Sequence, residues 1–374
     1  MQSVTSVTNS SRPQALAQQP AVKQLTQQAI NLLQQLIATQ SFSGQEEGTA
    51  QLLANFLAQH GATPQRKGNN IWAVATNCPK GAPVVLLNSH HDTVKPGKDW
   101  QQDPFTPTLD GDKLTGLGSN DAGASAVSML ATFVYLAQLP ALPYQLVVAI
   151  TAEEENSGAN GVRSILPLLP TPWLGLVGEP TGMQMAVAEK GLIVLDCQAQ
   201  GKTGHAARNE GVNALYKAVD DINWLRNYTF TDVSDTLGPV KMTVTQIEAG
   251  QQHNVVPATC RFVVDVRTND CYTNQAIIEI IKSHISAEIS PRSYHLNSSS
   301  IPLTHPVVQV GQALGLSHYG SPTLSDQSVM DFTTMKIGPG QSARSHTAGE
   351  YIYLSEIQQG VATYIALLEA LLPA

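Results

Sequence analysis

His90 and Asp92, Asp121, the run Glu153, Glu154 and Glu155, then Glu179 and His346 are the residues of this chain whose types and placement could do chemistry. Imidazole and carboxylate are donors that divalent cations take up, and a pair of such cations can activate a water toward an acyl carbon. Each of these residues follows an apolar strand-like run or sits in a Gly-rich turn, so distant segments could deliver them to one place. The set reads as a two-metal hydrolytic site.

His90 lies in LLNSHHDTVKPG, at what should be the carboxyl end of a buried strand, where open α/β sheets gather their ligands. Asp92, two residues on, would share its face and could accept a hydrogen bond from the distal ring nitrogen of His90, while His91 points the other way. Asp121, in LTGLGSNDAGASA, occupies the tightest turn of the set; its two carboxylate oxygens could hold two cations, which makes it the choice for a metal bridge. In TAEEENSG three adjacent carboxylates directly after an apolar strand would repel one another unless cations or a shared proton relieved them. Glu179 is bracketed by Gly178 and Pro180 at the end of WLGLVGEP, and His346 follows KIGPGQSARS. Taken singly, each has an ordinary reading: a surface His-His turn, a helix N-cap at Asp121, a solvated acidic turn. The argument lies in the recurrence of an acid or imidazole just beyond an apolar strand.

The elements that must position these residues alternate between strand and helix. Helical spacing marks residues 21–40 (Leu25, Ile30, Leu33, Leu36, Ile37) and 46–59 (Leu52, Leu53, Phe56, Leu57). Strands are expected at 70–75 and 83–88, the latter apolar on both faces and so central in a sheet. A helix of small residues at 123–138, a strand at 144–151, a short helix at 161–169 and a strand at 173–178 complete an α/β layered unit. After Lys190 the pattern changes to β-α-β-β-α-β, with helices at 210–226 and 274–287 and a last strand near 292–297. That order suggests a ferredoxin-like α+β unit. From about 299 the α/β character resumes, with helices at 306–314 and 354–371. The economical organisation is a catalytic domain in two parts, 1–190 and 299–374, with an inserted domain at 191–298.

Composition agrees with this frame. At 374 residues the chain exceeds the size at which single cores stop growing. A charged fraction of 13% and a net charge of -8 leave no basic stripe for a phosphate backbone, so nucleic acid is excluded as a partner. No run is long and apolar enough for a membrane span, and the first twenty residues fail as a signal peptide and read as a frayed tail, so a cytoplasmic protein is expected. Cys78, Cys197, Cys260 and Cys271 lack paired spacing and read as small buried thiols.

SHHDTV, the Gly-Leu-Gly-Ser-Asn-Asp-Ala-Gly stretch, the Glu triplet, VGEPT, GKTGHAA, HNVVP with VDVR, and GPGQSARSHTAGEY occur here in an order that resembles the co-catalytic zinc aminoacylase, peptidase and deacylase family. The likeness is to its acetylornithine deacetylase-like members and runs through nearly the whole chain after residue 20. It implies a zinc-peptidase-like α/β/α catalytic domain with an inserted ferredoxin-like lid that forms a homodimer. It implies two zinc ions per subunit, with cobalt able to substitute: Asp121 bridges them, His90 and Glu179 complete one, and Glu155 and His346 complete the other. Glu154 is then the general base and Asp92 orients His90; Glu153 stands where the family more often has Asp. His205, in GKTGHAA, resembles a histidine that reaches the active site from the partner subunit. Arg267 and Asn254 match positions used toward the substrate carboxylate or the transition state, Arg344 and Lys190 are further cationic candidates, and Ser325 and Asp326 lie in a loop like the family's substrate loop. The expected substrate is a small N-acyl-amino acid, first of all N2-acetyl-L-ornithine in arginine biosynthesis. Succinyl-ornithine, acyl-citrulline, acyl-lysine and di- or tripeptide substrates are the alternatives.

Overall fold

The computed structural model describes residues 10–372. The chain forms two compact units: one holds the described residues up to Val187 with Ile301–Tyr319 and those from Ser325 onward, the other holds Ala188–Ser300 and Gly320–Leu324.

In the first unit the strand Val84–His90 is buried at every position. It runs parallel to Gln145–Thr151 on one side and to Pro172–Val177 on the other, and Pro172–Val177 is parallel to Thr334–Lys336. Asn70–Val74 and Met185–Glu189 flank this parallel centre in the antiparallel sense, with Gln65–Lys67 outside Asn70–Val74. Strands covered on both faces need continuous apolar sequence, which VVLL and LVVAI supply. Val85, Leu87, Val148 and Leu176 pack with the helices Pro20–Ile37, Ala124–Ala137 and Leu354–Glu369. Val84, Leu86, Val147 and Ala149 face Trp72, Ile165 and Leu169 on the opposite side. Each such Leu or Val withdrawn from water contributes about 1.5–3 kcal/mol, so the sheet is held chiefly from its faces. Because four neighbouring strands are parallel, their carboxyl ends share one edge.

The second unit contains a four-stranded antiparallel sheet ordered Lys241–Ala249, Thr259–Arg267, Leu192–Gln200, Glu288–Pro291. With the helices Ala214–Asn227 and Asn274–Lys282 between strands, this is the ferredoxin-like arrangement that the element order suggested. Alternate residues Ile193, Leu195, Cys197 and Ala199 are buried with Phe262, Val264 and Ile277. The molecule is therefore an α/β domain carrying an inserted α+β domain.

Several local expectations are corrected. Residues 12–17 are helical, not a frayed tail: Pro13 starts the turn, Leu16 is fully buried in the core beside the C-terminal helix, and Arg12 pairs with Glu369. Positions 1–9 of the expected tail lie outside the described residues. The helix expected at 210–226 begins at Ala214, because the Asn213 side chain accepts the Leu215 N–H and caps it there. The helix expected to reach 287 stops at Lys282: buried Asp221 accepts the N–H groups of Ser286 at 2.8 Å and Ala287 at 2.9 Å and draws the chain away. The last strand accordingly comes earlier, at Glu288–Pro291. Cys197 and Cys260 are buried as expected, but Cys78 is half-buried and Cys271 is exposed. No helix among the described residues is long and apolar enough to cross a membrane.

Candidate active site

His90 is the last residue of its strand and only 1% exposed. Its Nδ1 donates to the backbone carbonyl of Asp92 at 3.0 Å, closer than the Asp92 carboxylate at 3.4 Å. This bond fixes the tautomer and leaves Nε2 facing carboxylate oxygens of Asp121 at 3.3 Å, Glu179 at 3.7 Å and Glu154 at 3.8 Å. Something positive must stand between that nitrogen and those oxygens.

The other strand ends supply the rest. Thr151 ends its strand three residues before Glu154, and Val177 ends its strand two residues before Glu179. Gly338 lies against Glu179, where a Cβ would come within 2.5 Å of the Glu179 carbonyl. Asp121 is reached through Gly118, whose φ of +73° suits glycine, and Ala124–Ala137 follows directly. The His346 backbone also adopts a left-handed φ of +58°, a conformation costing a residue with a Cβ about 1–2 kcal/mol. That turn aims His346 Nε2 at Glu155 at 2.9 Å and at Asp121 at 3.5 Å.

Two groups of potential ligand atoms result, His90 with Asp121 and Glu155, and His90 with Glu154 and Glu179, each within 4.8 Å. His90, Asp121, Glu154, Glu155, Glu179 and His346 are thus brought together. The crowding of acids has electrostatic consequences. Burial, with Glu179, Asp326 and Glu155 nearby, pushes the Glu154 carboxyl well above its ordinary value. Burial likewise pushes Glu179 up to about 8, with Asp121 and Glu155 adding and His90 and Lys336 opposing. Burial alone would lower His90, yet Glu154, Asp121, Asp92 and Glu179 together raise it well above the ordinary imidazole range. An oxygen-rich, imidazole-containing set with more negative charge than its neighbours neutralise fits divalent cations.

Asp92 does more than accompany His90. Fully buried, it accepts the backbone N–H of Glu154 at 3.0 Å, that of Glu155 at 3.1 Å and the Ser43 hydroxyl at 2.7 Å. Two further acids, not singled out from the sequence, hold loops in the same way. Glu350 accepts N–H groups of Gly118, Asn120 and Asp121. Glu46 accepts those of Gly44 and Glu153. Glu153 itself turns to Asn160, and His91 is buried between the Thr49 hydroxyl and the Asn69 carbonyl. Neither belongs to the two ligand groups.

The remaining candidates are distributed as follows. Asp326 is 8% exposed and accepts the Thr151 hydroxyl at 2.8 Å, while Ser325 is 2% exposed and caps the short turn Asp326–Val329. Arg344 is engaged by both oxygens of Glu356, at 2.6 and 3.2 Å, and stacks over Tyr351 and Tyr353. In the second unit Arg267 pairs through Nε and Nη2 with Asp265, and Lys190 Nζ donates to the Pro239 carbonyl. His205 and Asn254, from separate motifs, meet there: Gly204–His205 pairs with Val255–Val256, and the Ala206 N–H donates to the Asn254 carbonyl at 3.0 Å. The His205 side chain is exposed.

A family model described as peptidase family M20/M25/M40 matches residues 86–370. The chain is 30% identical over 259 residues to a succinyl-diaminopimelate desuccinylase of Stenotrophomonas maltophilia, covering 64% of this chain and 68% of that protein. It is 24% identical over 380 residues to the protein of that name from Xanthomonas campestris pv. campestris, covering 93% and 100%. Among solved structures, an aminopeptidase from Bacillus cereus gives a TM-score of 0.77 at 18% identity, covering 93% of this chain and 99% of that one. A tripeptidase from Staphylococcus aureus gives 0.75 at 19%, covering 93% and 98%. At such identities the structural likeness speaks for the fold.

Proposed function

This chain belongs to peptidase family M20/M25/M40 and is a metal-dependent hydrolase, and from that premise we propose that it removes the acyl group of an N-acyl-amino acid at a two-metal site. The observation that carries the reading is the convergence of His90, Asp121, Glu154, Glu155, Glu179 and His346 beyond the strand ends. In this reading Asp121 would serve both cations, His90 and Glu179 would hold one, and Glu155 and His346 would hold the other. Zn2+ suits the mixed nitrogen and oxygen donors, with Co2+ as a substitute.

When bound, the cations lower the pKa of the attacking water and polarise the scissile carbonyl. Glu154 takes the water's proton on Oε2 and returns it to the leaving amine. Asp92 keeps that base aimed by holding its backbone N–H. We assign His205 to the developing oxyanion, reached from the partner subunit of a homodimer formed through the inserted domain. Arg267, whose Nη1 is not engaged by Asp265, and Asn254 are assigned to the amino-acid carboxylate.

For the acyl group we favour succinyl over acetyl, because the relatives above are named as succinyl-diaminopimelate desuccinylases. A succinyl chain adds a carboxylate that needs a cation. Arg344 is engaged by Glu356, whereas the Lys190 ammonium has a lone carbonyl partner among the described residues, which makes Lys190 the better candidate. The acetylornithine reading, with its place in arginine biosynthesis, rests on the motif set and stands second. The deciding experiment is a panel of N-succinyl-diaminopimelate, N-succinyl- and N-acetyl-ornithine, -citrulline and -lysine, and several di- and tripeptides, each with zinc and with cobalt. Higher kcat/KM on a succinylated amino acid is expected. Peptides turned over far better than every acyl-amino acid would defeat the deacylase reading.

A further inference from the structure

Glu350 has no ligand atom in either metal-binding group, yet it is 2% exposed and its carboxylate is wholly occupied by one loop. Its Oε1 accepts the backbone N–H groups of Asn120 and Asp121, each at 2.8 Å, and its Oε2 accepts that of Gly118 at 3.0 Å. Its own carbonyl accepts the Gly116 N–H at 3.0 Å. Side-chain bonds reinforce the tie: Asn120 Oδ1 accepts the Gln341 N–H at 2.9 Å, and Asn120 Nδ2 donates to the Gln341 carbonyl at 3.1 Å. The loop presenting Asp121 is therefore bound, through its own backbone, to the segment that carries His346.

We propose that Glu350 is the positioning residue for Asp121, fixing the carboxylate shared by both cations without touching either. The inference rests on the reading in which Asp121 bridges. A buried carboxylate satisfied by three N–H donors gives a stiff, directional clamp, and backbone donors cannot be exchanged for other side chains. Were the clamp lost, the loop would keep the Asn120 bonds to Gln341, but the Asp121 carboxylate could shift from both sites together. Loss of an ordinary ligand such as Glu179 would weaken one site and spare the other.

The test measures metal binding in Glu350→Gln, Glu350→Ala, Asp121→Ala and Glu179→Gln by calorimetric titration and metal analysis of the apo-proteins, with circular dichroism to confirm folding. Gln keeps one acceptor oxygen but sets an amide N–H2 against an N–H donor, so it is the milder change should Glu350→Ala fail to fold. Glu350→Gln should weaken both bound metals by a similar factor, about 10- to 100-fold, with no change in their ratio. If the folded Glu350 variant holds both metals as the parent does, or loses only one, the clamp is wrong. If Asp121→Ala itself loses only one metal, the bridging assignment fails instead, and the two failures are told apart.

Discussion

Asp92 Oδ1 accepts the backbone N–H of Glu154 at 3.0 Å, so the residue expected to orient the histidine also holds the residue assigned as base. One buried carboxylate thereby sets the separation between the ends of two neighbouring strands. Replacing Asp92 with Asn presents an amide N–H2 to one of the N–H donors of Glu154 and Glu155. Steady-state kinetics should show kcat/KM lowered about 10- to 100-fold with secondary structure unchanged. A rate equal to the parent's would remove Asp92 from the machinery.

Glu154→Gln keeps the shape of the side chain and removes its capacity to take a proton. Turnover should fall by about 10²- to 10⁴-fold, while metal analysis still finds near two ions per chain. Loss of one ion instead would mean that Glu154 and Glu155 have exchanged roles.

Asp326 is buried against Thr151, on the strand that leads to Glu154, and burial lifts its carboxyl to about 6. A support for that strand end, as opposed to a substrate contact, should show itself in kcat. Asp326→Ala is expected to lower kcat about tenfold and leave KM near its parent value, and Thr151→Val should do the same. A rise in KM with kcat preserved would return Asp326 to the substrate.

His205→Ala should leave the chain folded and depress the maximal rate. Mixed with Glu154→Gln under conditions of subunit exchange, it should regain part of the activity if the histidine serves the neighbouring subunit's site. Exchange verified by mass spectrometry with no recovery would reject that arrangement.

Burial pushes the Cys197 thiol up to about 12, with Asp221 and Asp196 adding to the shift. The raised value means that at pH 8 roughly one molecule in ten thousand carries the thiolate, the form that reacts. Slight burial with Asp270, Asp232 and Asp235 also pushes the Cys271 thiol up, but its exposure should let iodoacetamide modify it faster than Cys197 and Cys260, which should be spared until denaturant is added. Peptide mapping that found Cys197 alkylated as fast as Cys271 would contradict the packing of the inserted sheet.

The strand ends that carry the candidate ligands were legible because the same local signal repeats: a run such as VVLL or LVVAI gives way within a few residues to His90 or to the Glu153–Glu155 acids, at the carboxyl end of its strand. The anchors were not legible. Glu350 lies within a quoted motif, but nothing local tells a carboxylate that receives N–H groups from Gly118, Asn120 and Asp121 from a solvated turn, since its partners lie more than two hundred positions away. The helix Arg12–Ala17 was hidden for a related reason. Its six residues offer one large apolar side chain, Leu16, whose burial depends on a helix at the opposite end of the chain. The cationic candidates Arg344 and Arg267 looked available from sequence because Glu356 and Asp265 could not be identified as their partners without coordinates.

The tie between Glu350 and the Asp121 loop spans 229 positions, and it has a bearing on biosynthesis. A nascent chain displays His90, Asp121, Glu154, Glu155 and Glu179 long before His346 and Glu350 leave the ribosome. Until then, in the proposed reading, Asp121 would have no brace and the second cation would lack the His346 imidazole. In the proposed two-metal reading the ion pair can assemble only after His346 and Glu350 have joined the chain, so a product terminated before them, even with most of the sheet built, would lack the second cation's imidazole and the brace on Asp121.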